Sequence, residues 1–107
     1  MSKVIEISDS QFENEVIKEN GIVLAYFWAS WCGPCRLVSP SINWIAENYS
    51  DRLKVVKLEV DASPESVANC KVEGVPAFRV FKQGEIVNSY EGAIGKEKLK
   101  EFIEKSI

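Results

Sequence analysis

Two cysteines, Cys32 and Cys35, lie three positions apart, with Gly33 and Pro34 between them in the stretch WASWCGPCR, residues 28–36. Two thiols this close can form a structural disulfide, provide half of a metal site, or act as a dithiol that forms and breaks a disulfide. The chain contains three cysteines and no histidine. Hydrolytic Ser-His-Asp and Cys-His chemistry both need an imidazole base, so the absence of histidine excludes them.

A structural disulfide and a metal site both fit this spacing poorly. In the chain-entropy model, a link from Cys32 to Cys35 stabilises the fold by about 2 kcal/mol, against about 4 kcal/mol for a link from Cys35 to Cys70. Structural zinc needs four nitrogen or sulfur ligands, and iron–sulfur clusters generally need four cysteines. The chain offers one close pair and a distant third sulfur. We therefore expect no metal site and no bound cofactor.

The surrounding sequence favours a reactive dithiol. Residues 22–28 are a continuous apolar run, rich in β-branched and aromatic side chains, which is typical of a strand buried on both faces; a helical pattern follows Cys35. Cys32 is therefore predicted at a helix N-terminus, where unsatisfied N–H groups and the helix dipole stabilise a thiolate. Gly33 tolerates a tight backbone, and Pro34 fixes φ at the start of the helix.

The second thiol adds a larger advantage. After Cys32 has attacked a substrate disulfide, Cys35 lies beside the mixed disulfide and can attack it intramolecularly. Reactants held together reach effective molarities on the order of 10⁵ M or more in favourable geometry. The spacing therefore predicts a dithiol that exchanges with the disulfides of other molecules.

The rest of the chain predicts the elements that position this pair. Strands are predicted at residues 3–7, 22–28, 53–60, 76–82 and 85–90, and helices at 9–20, after Cys35, from Pro64 and at 95–107. The order is β-α-β-α-β-α-β-β-α. Its alternating first half requires parallel strands, and the closing hairpin around Gln83-Gly84 adds antiparallel ones. We predict one α/β domain, residues 1–107, with a mixed sheet.

Composition and charge restrict the partners and the compartment. The 107-residue chain has a net charge of −3 and no basic stripe, so neither nucleic acid nor a membrane surface is expected as a partner. No apolar run approaches the ~20 residues that cross a bilayer. The first residues lack the features of a signal peptide, which predicts a cytoplasmic location if nothing was trimmed from the chain. Thiols are kept reduced there, which favours a catalytic pair over a structural one.

Further motifs accompany WASWCGPC at compatible spacings. They are Asp61 at the end of a strand, Gly74-Val75-Pro76, Phe81-Lys82 before Gly84, and Gly92. Together they make the chain resemble the thioredoxin family from end to end. The resemblance implies a thioredoxin fold, with a central mixed sheet of five strands flanked by four helices. It also implies a protein-disulfide reductase that works through a reversible Cys32–Cys35 disulfide.

The resemblance implies roles for individual residues. Cys32 is expected to be the exposed attacking thiol, and Cys35 the buried resolving thiol. A cis peptide bond is implied between Val75 and Pro76. Lys57 is implied to lie near the buried thiol and to modulate its pKa, although a lysine on this strand can also extend to the surface. The implied apolar docking surface consists of Trp31, Gly33, Pro34, Val60, Val75, Pro76 and Gly92, with Trp31 partly exposed.

Two positions depart from the family pattern, and one thiol is unassigned. Tyr26 stands where the family usually carries an aspartate that assists proton removal from the resolving thiol, and a tyrosine is a weak base near pH 7. Water or Lys57 is then expected to take the proton. Glu91 stands where the docking surface is usually apolar, and its charge is expected to favour basic or polar partners. Cys70 is either a small buried hydrophobe or the site of a regulatory or intermolecular disulfide.

These observations predict a monomeric thiol-disulfide oxidoreductase that carries electrons to disulfide-containing target proteins. A separate donor reduces it again, either an NADPH- and flavin-dependent thioredoxin reductase or a ferredoxin-linked one. A disulfide-forming oxidase is a rival within the class, opposed by the Gly-Pro dipeptide. A non-catalytic binding module that uses the same groove is a rival from another class. Full biological function in a variant with serine at positions 32 and 35 would favour that rival.

Overall fold

The computed structural model describes residues 3–107, and within them five strands and four α-helices follow the predicted order. The strands are β1 (Ile5–Glu6), β2 (Ile22–Trp28), β3 (Leu53–Glu59), β4 (Ala77–Lys82) and β5 (Glu85–Glu91). The helices are α1 (Asp9–Phe12), α2 (Gly33–Asn48), α3 (Pro64–Asn69) and α4 (Lys96–Glu104). The predicted domain, 1–107, includes residues 1 and 2, which lie outside the described residues, and its bounds stay a prediction.

The strands form one mixed sheet in the order β1-β3-β2-β4-β5. β1, β3 and β2 are parallel, while β4 runs antiparallel to both β2 and β5. The hairpin turns at Gln83 and Gly84, whose φ angles of 54° and 81° suit a tight two-residue turn. This architecture confirms the predicted α/β fold with a five-stranded mixed sheet and four helices.

β2 lies at the centre of the sheet, and its alternate residues enter two cores. Leu24 and Tyr26 pack on the face covered by α2 and α4. Val23, Ala25 and Phe27 pack on the opposite face, with side chains from α1 and α3. Full burial of a large apolar side chain contributes about 1.5–3 kcal/mol, so both cores hold this strand in place. Its carboxyl end, where the cysteine-containing segment begins, is therefore a fixed point.

The first helix ends earlier than the sequence predicts. The predicted helix continues to about Asn20, whereas α1 gives way after Phe12 to a π-helical segment, Glu13–Ile17. The Lys54 ammonium on β3 donates to the Glu15 carbonyl at 3.0 Å and to the Glu15 carboxylate at 2.6 Å. The Glu15 carbonyl therefore has a hydrogen-bond donor although no further α-helical turn follows. Because Lys54 is distant in sequence, local hydrophobic periodicity does not predict this contact.

The other elements differ from prediction only at their ends. β3 stops at Glu59, a 3₁₀ turn, Val60–Ala62, follows it, and α4 spans Lys96–Glu104 rather than residues 95–107. Leu99 and Ile103 of α4 are fully buried, as its amphipathic pattern predicts. Among residues 3–107, no helix has the length and apolar character needed to cross a membrane.

A side chain at the start of α1 holds the start of α3. The Asp9 carboxylate accepts hydrogen bonds from the backbone N–H groups of Glu65 at 3.0 Å and Ser66 at 2.8 Å, and from the Ser66 hydroxyl at 2.7 Å. N–H groups in a first helical turn have no partner within the helix, so Asp9 supplies one. Burial alone would raise the pKa of Asp9, but these hydrogen bonds hold it below its ordinary value of 3.8.

Replacing Asp9 with Ala should lower the thermal midpoint by a few degrees at neutral pH, because the start of α3 loses its acceptor. Glu13→Ala removes the same charge from an exposed neighbouring position and should leave the midpoint nearly unchanged. Folding lowers the pKa of Asp9, so the contribution of its carboxylate to the free energy of unfolding is complete above about pH 4. That contribution is lost as the pH falls through the folded-state pKa. The difference in midpoint should therefore shrink below about pH 4, and a constant difference would contradict a role for the charge.

Candidate active site

The cysteine pair lies where β2 has ended and α2 begins. Cys32 is the N-cap residue of α2 and forms a disulfide with Cys35, with the two Cα atoms 5.4 Å apart. The Cys32 sulfur accepts a hydrogen bond from the Cys35 backbone N–H, with a nitrogen–sulfur distance of 3.2 Å. A backbone donor and the positive end of the helix dipole therefore face this sulfur, and both stabilise a thiolate after reduction.

Both sulfur-bearing residues are covered in the disulfide form. Cys32 is 4% exposed and Cys35 is 3% exposed. The expectation of an exposed Cys32 is therefore wrong for the oxidised protein. Trp28, Val60 and Val75 pack against the pair, and they come from three segments far apart in sequence. Trp28 belongs to the cysteine motif itself, whereas the cover from Val60 and Val75 depends on tertiary contacts that a local motif does not encode.

An apolar groove borders the pair. Val60 and Val75, which pack against the disulfide, also line a groove of about 170 Å³. Its other lining residues are Trp31, Val67, Val72, Glu73 and Gly74. Trp31 is 67% exposed, and its indole N–H donates to the Asp61 carboxylate at 3.0 Å. The tryptophan ring is thus held in place while much of its surface stays open to solvent.

The remaining predicted docking residues are Pro76, Gly92, Gly33 and Pro34. The Val75–Pro76 peptide bond is cis, as the resemblance implies, and Pro76 is buried. The Pro76 carbonyl accepts a hydrogen bond from the Gly92 N–H at 2.8 Å. Gly92 has a φ of 118°, which residues with a side chain rarely adopt. Gly33 and Pro34 are exposed at the start of α2.

A separate cavity of about 110 Å³ reaches Cys35 from another side. Tyr26 and Lys57 line it together with Trp28 and Cys35, so Lys57 and the resolving cysteine border the same cavity. The Tyr26 hydroxyl donates to the Cys35 carbonyl at 3.1 Å, and burial raises the pKa of Tyr26 to about 12. Tyr26 therefore cannot act as a base near neutral pH. The Lys57 ammonium lies 5.5 Å from the centre of the Trp28 ring.

Trp28 and Cys70 occupy different surroundings. Trp28 is partly rather than fully buried, because its ring borders the cavity at Cys35.

Cys70 is 3% exposed in the core beneath α1 and α3. Burial raises the pKa of Cys70 to about 11, although the nearby Arg79 charge acts in the opposite direction. The interpretation of Cys70 as a small buried hydrophobe is therefore confirmed. Across residues 3–107, no three metal-ligating side chains are grouped so that they could hold an ion.

Glu91 binds within the chain rather than presenting a free charge. Its carboxylate forms an ion pair with Arg79 at 2.6 Å and accepts hydrogen bonds from the N–H groups of Glu73 and Gly74 at 3.2 and 3.1 Å. Burial alone would raise the pKa of Glu91, but Arg79 and these hydrogen bonds lower it below its ordinary value. The Glu91 charge is therefore paired within the chain, and its expected preference for basic or polar partners stays a prediction. No sequence motif marks Arg79, whose only signal is a single charge within an apolar strand.

Comparison with known proteins agrees with this geometry. A model of the thioredoxin family matches residues 3–105. A thioredoxin-like protein of Synechocystis sp. is 56% identical over 104 residues, which cover 97% of this chain and 95% of that protein. The thioredoxin of Pyropia yezoensis is 42% identical over 104 residues, 97% of each chain. The thioredoxin of Buchnera aphidicola is 37% identical over 107 residues, which cover 100% of this chain and 99% of that protein.

Tyr26→Asp should change the pH dependence of disulfide turnover without abolishing it. The substitution puts a carboxyl group in the cavity beside Cys35, where its ionised form can accept the thiol proton. We expect the rate at neutral pH to rise a few fold over that of the wild type. Tyr26→Phe is the matched control, because it keeps the ring and removes only the hydroxyl; its profile should follow the wild type. Superimposed profiles for Tyr26→Asp and the wild type would contradict this role of position 26.

Cys70 should resist alkylation in the reduced, folded protein, since its thiol is buried and its pKa is raised. Treatment with a small alkylating reagent should label Cys32 rapidly and leave Cys70 unmodified for hours. Unfolding in denaturant should make all three cysteines reactive. Mass mapping of the labelled peptides distinguishes the sites. Labelling of Cys70 at the rate of Cys32 would show that the thiol is accessible.

Proposed function

Since the chain belongs to the thioredoxin family, we propose that Cys32 is the thiol that attacks target disulfides and that Cys35 resolves the intermediate. Proteins of this family are thiol-disulfide oxidoreductases, and this chain reduces protein disulfides. Its partners are disulfide-containing substrates and a reductase that renews the dithiol. The observation that carries the two roles is the position of Cys32, whose sulfur caps α2 and bonds to the Cys35 sulfur.

The reaction proceeds by two exchanges at sulfur. The Cys32 thiolate attacks one sulfur of a target disulfide, forming a mixed disulfide and releasing the first target thiolate. Cys35, having lost its proton, attacks the Cys32 sulfur, forms the Cys32–Cys35 disulfide and releases the second target thiolate. The target gains two electrons and two protons, and the dithiol of the chain is oxidised.

The helix terminus makes the first exchange faster at neutral pH. A free cysteine with a pKa near 8.5 is about 3 per cent thiolate at pH 7, and a pKa of about 7 raises that fraction to about half. Intrinsic nucleophilicity falls with the pKa, so the net gain is roughly threefold. The intramolecular attack by Cys35 is the larger advantage, because the thiol starts three residues from its target.

The cavity at Cys35 provides the route for its proton. Tyr26 holds the Cys35 carbonyl and is too weak a base to accept the proton. The cavity of about 110 Å³ is large enough to hold water, which can carry the proton to solvent. Lys57 lines the same cavity, and its positive charge favours the thiolate form of Cys35. Lys57 is thus proposed to modulate the resolving thiol rather than to take part in bond exchange.

Target proteins dock on the apolar surface around the disulfide. Trp31, Val60 and Val75 line the groove. Pro76 follows Val75 through the cis peptide bond, and its carbonyl binds the Gly92 N–H. Gly33 and Pro34 complete the surface at the start of α2. A Cβ atom built on Gly33 would meet nothing within 4 Å, so a target backbone has room to approach Cys32 there. This surface supports recognition of extended polypeptide around a disulfide.

The electron donor is proposed to be a thioredoxin reductase, either NADPH- and flavin-dependent or ferredoxin-linked. The dithiol itself carries two electrons, so the exchange needs no cofactor bound to this chain. The same surface would dock the donor and the targets, since both must reach Cys32. The monomeric state and the cytoplasmic location stay predictions.

Reduction of insulin by dithiothreitol tests the activity. The wild type should accelerate insulin precipitation, and Cys32→Ser should abolish that acceleration because no attacking thiol remains. Cys70→Ser is the matched control, since it removes a sulfur away from the active-site pair and should keep the activity. Failure of the wild type to accelerate precipitation would contradict the reductase function.

Trapping distinguishes the two cysteine roles. Cys35→Ser should accumulate mixed disulfides on Cys32 when mixed with target proteins, because the resolving step is blocked. The captured proteins should include substrates and the reductase, which identifies the donor class. Accumulation in Cys32→Ser instead of Cys35→Ser would reverse the proposed roles.

A further inference from the structure

A buried arginine binds the loop that leads to the cis proline. Arg79 lies on β4 and is 5% exposed. Its Nε donates to the Cys70 carbonyl at 3.0 Å, and one terminal nitrogen donates to the Lys71 carbonyl at 3.2 Å. The other terminal nitrogen donates to the Phe78 carbonyl at 3.0 Å. The guanidinium thus connects β4 to the segment immediately after α3.

Glu91 binds the other half of the same loop. Its carboxylate is 2.6 Å from the Arg79 guanidinium and accepts the N–H groups of Glu73 and Gly74. The Glu91 side chain is 29% exposed, against 6% for Arg79, so the pair extends from the core to the surface. Two side chains bound to each other therefore hold two carbonyls and two N–H groups between residues 70 and 74.

The loop needs such support because of its own conformation. Lys71 has a φ of 55°, which residues with a side chain seldom adopt, and this conformation persists only where the surroundings impose it. Arg79 binds the carbonyl of that residue. Glu73, Gly74 and Val75 then line the apolar groove beside the disulfide. The shape of one groove wall therefore depends on the Arg79–Glu91 pair.

We propose that Arg79 and Glu91 are positioning residues that hold residues 73–75 in the shape that target proteins bind. The inference rests on the proposed docking role of Val75 and Pro76. If the groove wall is already ordered, no free energy is spent on ordering it when a protein binds. The pair therefore lowers the free-energy cost of docking a protein. A small disulfide that reaches Cys32 without filling the groove gains nothing from the pair. The pair thus favours protein disulfides over small ones.

Oxidation of the pre-reduced protein by insulin over a range of concentrations separates docking from chemistry. Glu91→Ala should raise the insulin concentration that gives half the limiting rate by about fivefold and leave the limiting rate unchanged. Its rate with a small aromatic disulfide should stay within about twofold of the wild type, because that probe does not need the groove wall. Glu85→Ala is the matched control, since it removes the same charge from the exposed far end of β5.

A second variant and a second measurement distinguish an effect on docking from a general loss of stability. The double variant with Arg79→Leu and Glu91→Val removes both charges, and apolar replacement of a buried ion pair is often neutral for stability. It should remain folded at the assay temperature although the bound backbone groups lose their partners, show the same rise in half-saturating insulin, and exchange the Glu73 and Gly74 amide hydrogens at least about tenfold faster.

Two outcomes would overturn the proposal. If those amides exchange faster while half-saturation by insulin is unchanged, the pair does not serve docking, although the reductase function stands. If the half-saturating insulin concentration and the small-disulfide rate change together, the pair acts on the chemistry rather than on the groove. A wild type that insulin does not oxidise would contradict the proposed function itself.

Discussion

The hydrogen bond from the Cys35 N–H to the Cys32 sulfur ties the chemistry of this chain to the first turn of one helix. The sulfur is reactive at neutral pH only if that turn stays in place. β2, buried in cores on both faces of the sheet, fixes the point from which the segment starts, and the buried face of α2 fixes its direction. The two cores therefore hold the Cys35 N–H group and the two sulfur atoms in the relative positions that the reaction needs.

At two departures from the family pattern, the chain supplies a partner for the unusual side chain. Tyr26 stacks on Phe78, with ring centres 5.4 Å apart, and its hydroxyl binds the Cys35 carbonyl. Glu91 receives Arg79 and two backbone N–H groups. A buried polar group without a partner is costly, so each departure is stable only together with these contacts. Both side chains also bind backbone groups of the site. Tyr26 binds the Cys35 carbonyl, and Glu91 binds the N–H groups of Glu73 and Gly74 in the groove wall.

Local patterns predicted the elements well and their surroundings poorly. The apolar run of β2, the helix after Cys35 and the turn at Gln83-Gly84 follow from side-chain periodicity and backbone preference, which act between neighbouring residues. The cover over Cys32 and the early end of α1 depend on side chains distant in sequence, such as Lys54. Hydrophobic periodicity along the chain contains no information about such contacts. The placement of Lys57 near Cys35 came from family resemblance, since its own strand allowed two orientations.

The sequence by itself determined the dithiol, the strand that leads to it and the turn of the closing hairpin. Only the tertiary structure decided that Arg79 and Glu91 meet. A regular hairpin with a two-residue turn would pair Arg79 with Asn88 and put Glu91 on the opposite face of the sheet. Instead, Val80 pairs with Asn88 while Phe81 pairs with Ile86, so β5 contains one extra residue. This bulge places Glu91 opposite Ala77, on the face of Arg79, because each one-residue shift exchanges the two faces of a strand.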